Sequence, residues 1–128
     1  MDQLTRYRGI LRQVLKDYCH RPSHGDIAPE AVIDAEGNHF ELMLVGWDGQ
    51  RRVHGCVLHM DLIDDQVWIQ FDGTSRGVAW DLEEAGIPRE DIVLAFKPVH
   101  LRPHTKFGVG KRENAVALTG SLDESRLD

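Results

Sequence analysis

The 128-residue sequence predicts an α+β domain: an N-terminal helix, an antiparallel four-stranded β-meander, a second short helix packed on the same sheet face, and an irregular C-terminal segment. Three observations predict it. Apolar residues recur at spacings of three and four through the first 20 positions. From residue 31 to residue 72 the pattern changes to alternation at period two, interrupted by turn residues. A single short helical stripe follows, closed by Gly86. The length suits one domain, with residues 1–110 forming it and 111–128 a polar, flexible tail.

In the first helix, Leu4, Tyr7, Leu11, Val14, Leu15 and Tyr18 make the buried stripe, and Arg6, Arg8, Arg12, Lys16 and Asp17 cover the other side. His20 and His24 have the spacing of a metal pair on a helix, but Pro22 between them stops it.

Strands are expected at 31–34, 39–46, 51–62 and 66–71. Trp47-Asp48-Gly49 reads as a three-residue hairpin loop that pairs Gly46 with Gln50, and Asp64-Asp65 as a two-residue turn that pairs Ile63 with Gln66. Both turns put Phe40, Leu42, Leu44, Cys56, Leu58, Met60, Leu62, Val67, Ile69 and Phe71 on one face, the expected core. A slip of one residue would scatter this set over both faces. The other face carries Glu41, Met43, Val45, Val53, Gly55, Val57, His59, Asp61, Trp68 and Gln70. Met43, Val45, Val53, Val57 and Trp68 would form an apolar patch there, a surface for a partner or a second copy unless the C-terminal segment folds over it.

After the meander, Thr74 or Ser75 is placed to cap a helix with the stripe Val78, Ala79, Leu82 and Ala85, and Gly86 to end it. Residues 88–91 make a turn, and 92–96 a buried strand or docking segment.

The net charge of −6 and pI near 5.6 disfavour binding duplex DNA with the whole surface. A locally basic stretch (Lys97, His100, Arg102, His104, Lys106, Lys111 and Arg112) leaves room for local contact with phosphates or an acidic partner. Cys19 and Cys56 have no paired spacing and read as reduced thiols of a cytoplasmic protein. No membrane span or signal peptide is expected.

His59 and Asp61, two apart on one strand face, are the best candidates for metal or acid–base chemistry. The expected register places Gln70 and Trp68 opposite them, so a third ligand is missing and a His59–Gln70 hydrogen bond is the plainer expectation. Gly108-Val109-Gly110-Lys111 is not a phosphate loop, because Arg112 follows the lysine and Lys106 stands where the first glycine should be. No catalytic site and no cofactor are expected from these residues.

The order of these segments resembles the XisI family, the fdxN-element excision controlling factors. The likeness runs through Tyr7-Arg8, Val45-Gly46-Trp47, residues 51–56, His59-Met60-Asp61-Leu62, Val67-Trp68-Ile69-Gln70, Asp72-Gly73-Thr74 and residues 86–96, and ends near 105–109. Phe71 and Ser75 stand where many members carry histidine and glutamate, which argues against catalysis by that loop. The resemblance implies a non-enzymatic accessory protein. It would work with a companion factor, XisH, to permit excision of a DNA element by a separate recombinase. The expected contact residues are Met43, Val45, Val53, Val57, Trp68, Arg102, Lys106 and Phe107, with homo-oligomerisation as a further use of the same surface. Two alternatives are a small metal-dependent enzyme built on His59 and Asp61, and a regulator that touches DNA through residues 97–112.

Overall fold

The computed structural model describes residues 2–21 and 25–110, so His24 and the 111–128 tail lie outside it. Helix α1 (Gln3–Cys19) starts where Asp2 accepts the Thr5 amide at 2.8 Å, which satisfies an amide that the first turn leaves open. Tyr7, Leu11, Val14, Leu15 and Tyr18 are its buried stripe, as the spacing predicted, whereas Leu4, expected with them, is only half-buried.

Four strands follow, β1 (Asp26–Ile33), β2 (His39–Asp48), β3 (Arg51–Ile63) and β4 (Gln66–Asp72), each antiparallel to its neighbour. β1 begins well before the expected residue 31. Pro29 conceals it in the sequence, and an outer strand tolerates a proline because one of its edges needs no ladder hydrogen bonds.

The sheet is not a four-stranded antiparallel meander. Helix α2 (Val78–Glu84) is the crossover to a fifth strand, β5 (Ile92–Leu94), which runs parallel to β4 and makes the sheet mixed, in the order β1-β2-β3-β4-β5. At three residues, β5 is too short for a periodic signal. Ile92 and Val93 are fully buried.

Two bulges correct the expected register. The β2–β3 turn is the two-residue Gly49-Gln50, flanked by the Asp48–Arg51 pair, and not a three-residue loop. The ladder then shifts: Met43 faces Cys56 but Leu42 faces Leu58, so Val57 is an extra residue. Beyond the bulge, β3 has the predicted parity, and Phe40, Leu42, Leu58, Met60 and Leu62 meet α1 in the core. Before it, the faces exchange: Val57 packs against the core, while Cys56 joins the Met43 face. The β3–β4 turn is Asp64-Asp65 as expected, with both residues left-handed (φ 50° and 67°), the conformation of a type I′ turn. A second bulge leaves Gln70 unpaired between Ile69 and Phe71. It turns Phe71, expected in the core, outward to 50% exposure.

α2 packs on the same side as α1, and Val78, Ala79 and Leu82 are in the core with Tyr7 and Leu11. Its cap is not Thr74 or Ser75. Asp72 reaches forward instead, accepting from the Val78 amide at 2.8 Å and from the Thr74 amide at 2.9 Å. Gly86 ends the helix as expected, at φ 115°. The Ile87 amide returns to the Leu82 carbonyl and the Gly86 amide to the Glu83 carbonyl, closing a Schellman motif. The Tyr7 hydroxyl donates to Asp91, and Arg8 donates to the Gly37 carbonyl at 3.2 Å and to Asn38 at 3.0 Å. α1 thereby ties the β1–β2 turn to the entry of β5. Among the described residues, no helix is long and apolar enough to cross a membrane.

Candidate functional site

The sheet face away from α1 and α2 carries a cluster of titratable side chains. β2 and β3 position them in adjacent pairs, His39 opposite Asp61 and Glu41 opposite His59. Cross-strand neighbours on one face are held within side-chain reach by the ladder itself. His39 Nδ1 lies 2.7 Å from Asp61 Oδ1, and its Nε2 lies 2.8 Å from Glu41 Oε2. His59 Nε2 lies 3.1 Å from Asp61 Oδ2, onto which Gln70 also donates at 3.3 Å. The two imidazoles meet edge to face with centroids 4.5 Å apart. Glu41, above all, and Asp61 hold the His39 proton and raise its pKa, while the contact with His39 lowers that of Glu41.

His39, His59 and Asp61 bring one donor atom each within 4.8 Å of one another. The sequence contained this third group, but the expected register hid it. Pairing Gly46 with Gln50 sets His39 several residues away from Asp61, whereas the shorter turn and the Val57 bulge bring the two face to face. Gln70, expected opposite His59, is displaced by the second bulge and holds Asp61 instead.

The expected contact residues separate. Met43 and Val45 share the face of the histidine pair, whereas Val53, opposite Gly46, and Val57 belong to the other face. Trp68 shares the face of Asp61, its cross-strand partner, but is only 4% exposed. The Arg102 guanidinium lies over its ring at 5.4 Å, and Gly110 sits so close that a Cβ there would come 2.7 Å from the indole. Of the two expectations for this residue, coverage by the C-terminal segment is the observed one. Arg102, one of the basic residues expected at the contact, is itself 5% exposed and donates to the Lys97 carbonyl at 3.1 Å and the Ala95 carbonyl at 3.2 Å. Phe107 stacks edge to face on Trp80 at 5.0 Å, and Lys106 is exposed. Phe96 and Leu101, within the 92–107 region expected to dock but not singled out there, and Val109 just beyond it are 46%, 42% and 40% exposed.

A groove of about 790 Å³ lies between α1 and α2 on the opposite side of the molecule. Several of its polar side chains are hydrogen-bonded within the chain: Tyr18 donates to Asp81, Gln13 to Asp17 at 2.8 Å, and Arg6 to the Gly86 carbonyl at 3.2 Å.

Residues 1–109 match the family described as XisI protein. The fold is similar to the crystal structure of a XisI-like protein from Anabaena variabilis, with 36% identity, a TM-score of 0.77, and 84% of this chain and 99% of that chain covered. It is also similar to the fdxN element excision controlling factor XisI from Anabaena variabilis, with 30% identity, a TM-score of 0.72, and 85% and 100% covered. No curated protein matches.

Proposed function

The chain belongs to the XisI family, and from that premise we propose that it is a non-enzymatic controlling factor for site-specific excision of a DNA element, acting by contact with an XisH-like companion factor. The observation that carries the contact reading is the composition of the segment after β5. Phe96, Leu101 and Val109 expose apolar surface among Lys97, His100, His104 and Lys106. Exposed apolar side chains interspersed with basic ones on an otherwise acidic chain suit an acidic partner surface and give docking a direction. In this reading Trp68 and Arg102 support the segment from beneath, while Lys106 and its neighbours touch the partner. The place of action is the cytoplasm, where Cys19 and Cys56 stay free; burial raises both thiol pKa values and makes them poor nucleophiles.

The test mixes purified protein with the companion and follows complex formation by calorimetry. Binding at micromolar concentration is expected, and Phe96→Asp with Leu101→Asp should weaken it at least tenfold, which is about 1.4 kcal/mol. Absence of binding sinks the proposal, and undiminished binding by the double variant removes this surface from it. Sedimentation of the protein alone shows whether a second copy occupies the same place.

A further inference from the structure

We propose that His39, His59 and Asp61 form a binding site for one divalent transition-metal ion, with Glu41 as the positioning residue that orients His39. Nothing in the excision role calls for such a site, and the inference stands apart from it. It rests on convergence: two imidazole nitrogens and one carboxylate oxygen from paired residues of adjacent central strands lie within 4.8 Å of one another.

The spacing suits an ion. Metal–ligand bonds of about 2.0–2.2 Å to nitrogen and oxygen put neighbouring ligand atoms of a tetrahedron about 3.3–3.6 Å apart. His59 Nε2 and Asp61 Oδ1 are already 3.2 Å apart. His39 Nδ1 and Asp61 Oδ1, at 2.7 Å, need to part by less than the length of a bond. With Nδ1 of His39 on the ion, its Nε2–H donates to Glu41 at the 2.8 Å observed. That is the carboxylate–histidine–metal relay which fixes the tautomer and raises the basicity of the ligand. Gln70 holds the Asp61 carboxylate from the other side. The donor set of two imidazoles and a carboxylate prefers zinc, cobalt, nickel or ferrous iron to magnesium or calcium. Asp61 and Glu41 together balance the charge of a dication. The side chains are 19–38% exposed, so an ion can enter from solvent and keep a position for water or a partner's ligand.

The experiment uses the tag-free full chain, stripped with a chelator. It is titrated with zinc chloride by calorimetry and with cobalt chloride by visible absorption. One ion per chain is expected, with a dissociation constant in the micromolar range or below. His59→Gln and Asp61→Asn should abolish binding. Glu41→Gln should keep the stoichiometry and lose 10- to 100-fold in affinity. Should a ligand variant fail to fold by circular dichroism, imidazole nitrogen resonances of the wild-type chain decide: His39 and His59 must shift on adding zinc. No binding, binding unchanged in His59→Gln, or shifts confined to other histidines would overturn the site.

Discussion

Replacing Trp68 by alanine separates the two possible roles of that residue. A tryptophan on a bare contact face could be removed at little cost to the fold. Here it is 4% exposed, with the Arg102 guanidinium 5.4 Å over its ring and Gly110 pressed against its edge. An aromatic of this size buries about 150–250 Å². At about 25 cal/mol per Å² that is roughly 4–6 kcal/mol, an upper estimate because an unfolded chain already hides part of its apolar surface. Core truncations of tryptophan cost about 3–5 kcal/mol, a large share of the about 5–15 kcal/mol that holds a domain together. Urea unfolding of Trp68→Ala should therefore lose about 4 kcal/mol, and the melting temperature should fall by roughly 15 °C. The fluorescence assay is independent. The chain has three tryptophans, of which Trp47 is 48% exposed. In the Trp47→Phe, Trp80→Phe background, Trp68 should emit at the blue end and resist acrylamide quenching. A loss below about 1 kcal/mol, the scale of a surface substitution, or red-shifted and readily quenched emission, would refute the claim that residues 102–110 cover this face.

Asp72→Ala should cost about 1–2 kcal/mol in urea unfolding, because it strips the carboxylate that accepts the α2 amide at Val78 and frees the Thr74 turn. Asp65→Gly should stabilise by about 1 kcal/mol, since a non-glycine residue sits there at φ 67°; a destabilised variant would argue against the type I′ turn. Gly46→Ala should loosen β1, because a Cβ at that position would lie 2.0 Å from the Asp26 carbonyl oxygen; faster amide exchange confined to β1 and β2 is the expected readout. Burial first, and then the hydrogen bond to Asp91, raise the Tyr7 pKa above its ordinary 10.0. The unfolded chain ionises first, so this tyrosine's contribution is complete below pH 10 and declines as pH rises beyond it. Tyr7→Phe should flatten that alkaline decline in a pH series of urea midpoints, and an unchanged slope would rule out Tyr7 as its source.

Much of this was open to reading in the chain. The α1 stripe, the Gly86 stop and the Asp64-Asp65 turn are local signals. Each depends on residues within one or two turns of backbone, where side-chain period and φ preference are set by neighbours in sequence. Core parity at Phe40, Leu42, Leu58, Met60 and Leu62 was also legible, because alternation survives any shift by an even number of residues. The family likeness ran along the same segments.

The tertiary structure decided what depends on counting across strands. A two-residue turn in place of three, with one extra residue at Val57, left the core parity intact, yet moved His39 opposite Asp61 and exchanged the faces of Cys56 and Val57. A bulge has no signature in alternation beyond a change of phase, and Gln70 shifts Phe71 outward in the same silent way. β5 pairs with β4 only after a crossover, and Gly110 reaches Trp68 from far along the chain. The sequence by itself determined the helices, the turns and a core-facing parity, because these are local. Which side chains of the second face meet, and which are covered, followed from long-range packing that no local period encodes.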